Sequence, residues 1–383
     1  MNSFSFDLIH HDSKLSPFYD QSKTESERSK EALIRSLNRL NRFNSSMLGD
    51  AKYVESDLTI GDYLMSIYIG TPKERNVTPK KKLVIPSMSS GLTWIRCGPC
   101  SSNCNNQHPS LYDPTSSETY HDILFDSIVC KGLVVTKRGK SNVCQYEYHS
   151  GDKFSSGVLG AETFNLKSPG PLSLVSQVGN KVGESANKLS YCLVEKPLEL
   201  HSKIKFGSDL TLYKQNTEYT IQFKPSPPHT SYHLNLEAIS VNDEKIEIPN
   251  KKHDMIVDIQ TSLTSLPSNI YNEFIAKVKK HFGDATSIEE PEHGTCFLKR
   301  EVDGLDRPKV VFHFSGLSES HGDFPVNPST MFEENVDYMC LTIVRKDEIS
   351  ILGNRAQVDV QMIFDLSAHS LTFAALNCIK VSY

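Results

Sequence analysis

The sequence predicts a mostly β protein built from two related halves. From about residue 58, short alternating or apolar runs such as YLMSIYIGTP and VQMIFDL are separated by Gly, Pro, Asn and Asp, whereas helical periodicity is rare. One motif recurs in each half, as VIPSMSSGLTW at 84–94 and as MIVDIQTSLTSLP at 255–267. Aligning the two copies places Ser87 opposite Asp258. Such a repeat favours two homologous lobes that meet at a cleft.

Composition and charge restrict the class of partner. The chain has 383 residues, of which 38% are hydrophobic, and this is enough for two globular domains. A formal net charge of −5 gives no field strong enough to indicate nucleic acid or a membrane surface as a partner. No run approaches the roughly 20 apolar residues of a membrane span. The start, MNSFSFDLIHHDSK, has neither a basic n-region nor an apolar h-region, so we expect no signal peptide in this chain.

Residues 1–50 are predicted to form a separate N-terminal segment with an amphipathic basic helix at 22–43. Its apolar residues recur at helical spacing: Leu33, Ile34, Leu37 and Leu40. Thr24 and Glu27 have the spacing of a capping box at the helix start. A helix of this kind is most often the solvated outer helix of a domain, and the alternatives are a partner-binding or membrane-surface helix. Its place ahead of the strand-rich region predicts an N-terminal appendage.

The strand-rich region is predicted to divide between about residues 205 and 230, where FKPSPPHTS interrupts the pattern with prolines. This gives an N-terminal lobe at 58–210 and a C-terminal lobe at 225–383. Within the lobes, helical periodicity predicts a helix at 267–282 and a second at 170–183.

Nine cysteines indicate disulfides. Five crowd one region in the manner of a secreted disulfide cluster: Cys97, Cys100, Cys104, Cys130 and Cys144. The others are spread along the chain: Cys192, Cys296, Cys340 and Cys378. The odd number leaves at least one thiol unpaired. A zinc site of Cys97, Cys100 and Cys104 with His108 is an alternative, but no second CxxC or HxxxH completes it. We expect neither a metal nor a cofactor.

Several segments in a fixed order carry a family resemblance: FDLIHHDSKLSPFYD with the helix behind it, GDYLMSIYIGTP, LTWIRCGPCSSNC, DMIVDIQTSLTSLP and ILGNRAQVDVQMIFDLSAHSLTFAALNC. They resemble the propeptide, first mature strand, cysteine-rich segment and second lobe of plant pepsin-like aspartic endopeptidases of the nepenthesin-like branch. The resemblance implies a bilobal pepsin-like fold with a propeptide-like N-terminal segment. It also implies an extracellular or secretory location, a Cys296 to Cys340 disulfide, and internal pairing of the cluster from Cys97 to Cys144.

In that family each lobe presents an Asp-Thr/Ser-Gly turn at the floor of a peptide-binding cleft, and the two carboxylates act together. Two carboxylates so close cannot both ionise, so they share a proton and divide the general base and general acid roles. This sequence has SMS at 87–89 in place of the first turn, so that Ser87 replaces the first aspartate. Asp258 is retained, but IQ follows it at 259–260 in place of the hydroxyl residue and glycine. A serine hydroxyl cannot share a carboxylic proton with Asp258, so the pair is predicted to fail as an acid-base catalyst.

Further positions are predicted near a substrate. Ser90 and Thr261 follow the two turns as hydrogen-bond donors. In CQYEYHSGD, which resembles the family's flap, Ser150 stands where the family has tyrosine, and Tyr148 lies two residues earlier on the same strand face as a substitute. After AETFNLKSP the chain passes directly to GPLSLVSQVG, whereas the family has a further stretch there, so the first lobe is predicted to be partly truncated.

Three hypotheses follow. The first is a catalytically silent aspartic-protease-like monomer that binds a peptide or protein in its interlobe cleft, as non-proteolytic relatives such as plant inhibitors of xylanases do. The second is an active aspartic endopeptidase that uses Asp258 with an unidentified second acid, for which Asp152 beyond the flap glycine is a poor candidate. The third is the product of a decayed or misassembled gene.

Overall fold

The mostly β, bilobal fold predicted from the sequence is confirmed. The computed structural model describes residues 3–47, 61–74, 77, 79–88, 95–98, 111–131, 136–150, 153–165, 188–195, 200–207, 210–213, 218–226, 229–290, 294–316, 321–347 and 349–380. Strands from both halves of the chain join in one hydrogen-bonded network. None of the helices in these ranges is long and apolar enough to cross a membrane.

The first strands in chain order are β1 (Ser3–His10), β2 (Tyr63–Ile69), β3 (Lys80–Val84), β4 (His121–Asp122), β5 (Thr136–Arg138), β6 (Cys144–Ser150), β7 (Lys153–Val158), β8 (Gly160–Ala161), β9 (Phe164–Asn165), β10 (Lys188–Cys192) and β11 (Ser202–Gly207). Those that follow are β12 (Tyr219–Ser226), β13 (His229–Val241), β14 (Glu244–Glu247), β15 (His253–Val257), β16 (Thr264–Leu266), β17 (Ser287–Glu290), β18 (Gly294–Leu298), β19 (Val310–Ser315), β20 (His321–Val326), β21 (Phe332–Glu334), β22 (Tyr338–Leu341), β23 (Ile343–Arg345), β24 (Ile351–Leu352), β25 (Val360–Asp365) and β26 (Ser370–Ala375). The helices are α1 (Glu25–Met47), α2 (Ile128–Lys131), α3 (Ser268–Phe282) and α4 (Lys299–Val302).

The N-terminal segment belongs to the central sheet. Antiparallel pairs run in the order β3, β2, β1, β11, β10, β25, β26 and β12. Strand β1 therefore lies between β2 and β11, hydrogen-bonded on both sides. The segment expected as an N-terminal appendage thus adds a strand to the central sheet, and its helix α1 packs on the C-terminal half.

Helix α1 begins with the capping box predicted from the sequence. The Thr24 amide donates to Glu27 Oε2 at 2.7 Å, and the Glu27 amide donates to Thr24 Oγ1 at 3.2 Å. Each side chain thus satisfies an amide that the first helical turn leaves unpaired.

The predicted helix at 267–282 is confirmed as α3. Its buried residues follow one helix face: Ile270, Tyr271, Phe274, Ile275, Val278 and Phe282. Lys279, Lys280 and His281 occupy its last turn, where positive charge is favoured by the helix dipole. Gly283 ends it with a φ of 62°, which an L side chain rarely adopts. The helix predicted at 170–183 and the predicted truncation of the first lobe lie outside the described residues.

Three disulfides are present in the described residues. They join Cys130 to Cys144, Cys192 to Cys378, and Cys296 to Cys340, the last being the pair that the resemblance implies. Cys97, which we expected in a disulfide, carries an exposed free thiol. Its nearest cysteines in the chain, Cys100 and Cys104, lie outside the described residues, as does His108 of the zinc alternative.

Candidate functional site

Asp258 is the first residue after β15, at the floor of the site. Strand β15 pairs in parallel with β24, and the Asp258 amide donates to the Leu352 carbonyl at 3.2 Å. Gln357 Nε2 donates to the Asp258 carbonyl at 3.3 Å, and its Oε1 accepts from the Tyr191 hydroxyl at 2.6 Å. Asp258 is 0% exposed. The backbone that carries this carboxylate is therefore fixed on both sides.

The Asp258 carboxylate is bound by an arginine of α1. Arg39 Nε donates to Oδ2 at 2.7 Å and Arg39 Nη2 donates to Oδ1 at 3.2 Å, a two-point guanidinium–carboxylate contact. The Thr261 hydroxyl donates to Oδ2 at 2.5 Å, as the sequence suggested, and the Gln260 amide donates to Oδ1 at 3.3 Å. The side chain of Arg39 is only 4% exposed. Both oxygens of Asp258 are thus occupied by donors of this chain.

Gln260 links the turn of Asp258 to the first half of the chain. Its Oε1 accepts from the Tyr63 amide at 3.0 Å, and its Nε2 donates to the carbonyls of Tyr63 at 3.1 Å and of Pro86 at 2.9 Å. Pro86 directly precedes Ser87, so the bridge ties the two turns that the sequence repeat aligns. A Cβ at Gly61 would lie 2.3 Å from Gln260 Oε1, so this glycine leaves the room that the amide fills.

A second buried carboxylate, Asp62, lies where the two halves meet and is also 0% exposed. Its Oδ2 accepts from the Ser262 hydroxyl and from Asn354 Nδ2, the latter at 2.7 Å. Arg35 Nη2 lies 3.7 Å from Asp62 Oδ1 and donates to Asp12 Oδ2 at 2.7 Å. Arg35 and Arg39 are four residues apart on α1, which places both on one helix face. Two arginines of one face therefore approach two buried carboxylates.

The apolar face of α1 packs against the C-terminal half. The helix contributes Leu33 and Leu40, both buried, with Leu37 beside them. These contact a cluster of aliphatic side chains: Ile256, Leu263, Val344, Ile349 and Ile351. Between the leucines, Ser36 Oγ accepts a hydrogen bond from the Leu263 amide at 2.9 Å. The helix predicted as amphipathic thus packs its apolar side against the C-terminal half of the chain.

Burial changes the titration of groups around Asp62. Burial lowers the pKa of His10 below its usual value, and the neighbouring carboxylates of Asp62 and Asp12 oppose this only in part. Burial raises the pKa of Asp12, but the hydrogen bond from His11 and the charge of Arg35 outweigh it and hold that pKa well below its usual range. Burial thus favours the neutral form of His10, whereas His11 and Arg35 favour the anionic form of Asp12.

The structure brings together only some of the residues predicted from the sequence. Asp258, Thr261 and the turn containing Ser87 converge. Ser90 lies outside the described residues, and Tyr148 and Ser150 are described only as backbone in β6, so their substrate-binding roles stay predictions. Four residues with a part in this site were missed as such: Arg35, Arg39, Asp62 and Asn354. The spacing of four residues places Arg35 and Arg39 on one helix face, but nothing in the sequence indicated which carboxylates they approach.

Comparisons with known proteins give the family of this chain. Two family profiles match the chain: Xylanase inhibitor N-terminal over residues 63–171 and Xylanase inhibitor C-terminal over residues 231–375. A probable aspartic protease of Arabidopsis thaliana is 29% identical, covering 98% of this chain and 94% of the relative. Aspartic proteinase nepenthesin-2 of Nepenthes gracilis is 27% identical, covering 93% of this chain and 87% of the relative.

Solved structures show the same fold at low identity. Conglutin gamma from lupine seeds matches with a TM-score of 0.62 at 15% identity, covering 84% of this chain and 93% of that protein. Basic 7S globulin from soybean matches with a TM-score of 0.59 at 14% identity, covering 82% of this chain and 91% of that protein. With the curated relatives and the Asp258 turn, these matches lead to one conclusion. The chain belongs to the plant pepsin-like aspartic protease family.

Proposed function

We propose that this chain is a catalytically silent member of the aspartic protease family whose cleft binds a peptide or protein segment. The observation that carries the proposal is the state of the Asp258 carboxylate. It is fully buried, it accepts two hydrogen bonds from Arg39, and the turn opposite it supplies Ser87 instead of a second carboxylate. A general base must reach a water molecule and a general acid must hold a proton. An anion bound in this way to arginine does neither.

The three disulfides and the relatives support a role in the secretory pathway, because disulfides persist in oxidising compartments. The matched family profiles carry the description of xylanase inhibitors, proteins that act by binding. An inhibitor-like binding role for this chain is therefore one form of the proposal.

An active endopeptidase is the second candidate function, and Asp62 is the observation that favours it. Asp62 is the further buried carboxylate that this hypothesis needs. However, Asp62 Oδ2 accepts from Ser262 and Asn354, while Oδ1 has no hydrogen-bond partner in the described part of the chain and lies 3.7 Å from Arg35 Nη2. None of the hydrogen-bond partners of Asp258 among the described residues is an acid. A dyad requires one proton shared between two carboxyl groups, and here Asp258 accepts from Arg39 and Thr261 whereas Asp62 accepts from Ser262 and Asn354.

Cleavage of a denatured protein at about pH 3 to 5, where a carboxylate dyad is active, tests the proposal. The intact chain would be assayed with and without a transition-state inhibitor, beside Arg39→Met, which opens access to Asp258, and Ser87→Asp, which restores a carboxyl group to the first turn. We expect no cleavage by the wild type or by Arg39→Met. Inhibitor-sensitive cleavage that Asp258→Ala abolishes would overturn the proposal, and its loss in Asp62→Asn would identify the second acid.

Binding is measured separately from catalysis. A labelled statine-type peptide would be titrated into a chain of residues 51–383 and into the intact chain, with circular dichroism to show that each is folded. We expect the peptide to bind the shorter chain more tightly, because α1 then no longer covers the cleft floor. Equal and undetectable binding by two folded chains would contradict a peptide-binding cleft.

A further inference from the structure

We propose that Ser240, His313 and Asp323 form a second reactive site, at which the Ser240 hydroxyl attacks small carboxylic esters. The three residues lie on neighbouring strands of the C-terminal half, β13, β19 and β20. Their contacts use none of the groups that bind the Asp258 carboxylate. The inference is therefore independent of the proposed loss of proteolysis at Asp258, and either can fail without the other.

The alternation of β19 places His313 on the polar face of this sheet. Phe312 and Phe314 are fully buried, and successive side chains of a strand point to opposite faces, so His313 points away from the core. Asp323 lies directly opposite His313 on β20. On β13, Ser240 lies opposite the residue two positions before His313, which makes it a diagonal neighbour on the same face. Three strands thus bring a hydroxyl, an imidazole and a carboxylate together.

The hydrogen bonds of these residues follow the order of a catalytic Ser-His-Asp triad. The Ser240 hydroxyl donates to His313 Nε2 at 2.7 Å, and His313 Nδ1 donates to Asp323 Oδ1 at 2.6 Å. A carboxylate can only accept, so Asp323 keeps the hydrogen on Nδ1 and leaves the lone pair of Nε2 facing Ser240. His313 is thus placed to take the serine proton, and Asp323 is a positioning residue that stabilises the imidazolium then formed.

A cation lies beside the serine, where negative charge would develop on an attacked carbonyl. Lys245 is directly opposite Ser240 on β14, on the same face, and its Nζ lies 3.1 Å from Glu247 Oε1. A positive charge at this place stabilises an oxyanion. Ser240 is 8% exposed, and the long side chains of Lys245 and Glu247 are exposed and change rotamer rapidly. A small ester can therefore reach the hydroxyl.

The proposed reaction converts an ester and water into an acid and an alcohol. Ser240 Oγ bonds to the carbonyl carbon while its proton passes to His313 Nε2. The bond between that carbon and the alkoxy oxygen then breaks, and the same proton passes to the departing alcohol. Water next attacks the acyl-serine and gives a proton to Nε2, and the acid is released as that proton returns to Ser240 Oγ.

A fluorophosphonate tests the site directly, because it phosphonylates a serine whose proton a base removes and it releases fluoride. The intact chain would be treated at about pH 8, where an ordinary histidine is neutral, both folded and in urea, and the modified residue would be identified by mass spectrometry. The matched control within the chain is Ser350, whose hydroxyl lies 2.6 Å from His253 Nε2. No carboxylate is hydrogen-bonded to the His253 ring among the described residues. We expect label on Ser240 of the folded chain and none on Ser350.

Variants separate reactivity from structure. We expect Ser240→Ala to abolish the label and His313→Gln to slow it about a hundredfold, whereas Ser350→Ala leaves the rate unchanged. Asp323→Asn keeps an acceptor for the imidazole but removes the anion, and is expected to slow labelling about tenfold or more, whereas Asp323→Glu recovers most of the rate. The midpoint of urea unfolding would show that each variant is folded.

Three outcomes would overturn the proposal: no label on Ser240 of the folded chain, equal label on Ser350, or a rate that His313→Gln does not change. The first two need no variant, so they remain decisive where a substitution prevents folding.

Turnover is measured with p-nitrophenyl acetate. The chain would carry Cys97→Ser, because the exposed thiol of Cys97 also attacks activated esters. We expect faster release of nitrophenol than from the same chain with Ser240→Ala, and equal rates would overturn the proposed reaction. Cleavage of a denatured protein at about pH 3 to 5 reports on Asp258 alone, so failure of this site and failure of the proposed function give different results.

Discussion

Gln260 provides a stability test of the contact between the two turns. Its side chain makes three hydrogen bonds, to the amide and carbonyl of Tyr63 and to the carbonyl of Pro86, and it is 1% exposed. A buried hydrogen bond contributes roughly 1 kcal/mol net, and groups left unpaired add a desolvation cost. Gln260→Ala is therefore expected to lower the free energy of unfolding by about 3 kcal/mol.

Urea unfolding followed by circular dichroism measures this change as a shift in the midpoint at constant slope. The matched control is Gln222→Ala, because Gln222 is exposed on β12 and its truncation is expected to change stability by no more than about 0.5 kcal/mol. A loss below about 1 kcal/mol for Gln260→Ala would refute the reasoning, since it would mean that water replaces the amide at little cost.

Other expectations follow from single groups. Burial lowers the pKa of His10 in the folded state, so its contribution to stability is present above the unfolded pKa of about 6.5 and is lost as pH falls through the folded pKa. The free energy of unfolding, measured from about pH 8 to 5, should therefore decrease as pH falls, and His10→Gln should reduce that decrease. Replacing Cys296 and Cys340 by serine opens a loop with a sequence separation of 44 and is expected to cost about 4 kcal/mol, measured by thermal and urea unfolding. The thiol of Cys97 is exposed and should react with a maleimide in the native state. Because partial burial raises its pKa, the rate of reaction should increase steeply toward alkaline pH. Absence of reaction would indicate that Cys97 is in a disulfide.

Local patterns in the sequence predicted much of the fold. The period of apolar residues predicted α3 and, apart from Ile34, which is 38% exposed, the buried face of α1. The Thr24 and Glu27 spacing predicted a cap that two hydrogen bonds confirm. These features depend on residues within one or two turns of each other, so a short window contains their cause. The place of β1 between β2 and β11 was not predicted, because register between strands distant in the chain depends on tertiary packing.

The sequence predicted those features of the site that depend only on which residue stands at a position. Ser87 in place of an aspartate is visible in the sequence alone, and the Thr261 hydrogen bond to Asp258 spans three positions. The contact between Arg39 and Asp258 spans 219 positions. Helix α1 contains several basic residues, and only the folded structure shows which of them binds Asp258. The sequence shows only that Gln260 stands where the family has glycine. The structure adds that the Gln260 side chain hydrogen-bonds to Tyr63 and Pro86 and so links the two turns.

The contacts of Asp258 are compatible with the proposed loss of catalysis. A catalytic aspartate must remain accessible to water and must exchange a proton with a partner, so its surroundings cannot satisfy it completely. Under the proposed loss of catalysis that requirement is absent, so Arg39 and Thr261 can compensate Asp258 fully without loss of function. The full compensation of this carboxylate by donors of the same chain is therefore the structural counterpart of the proposed loss of catalysis.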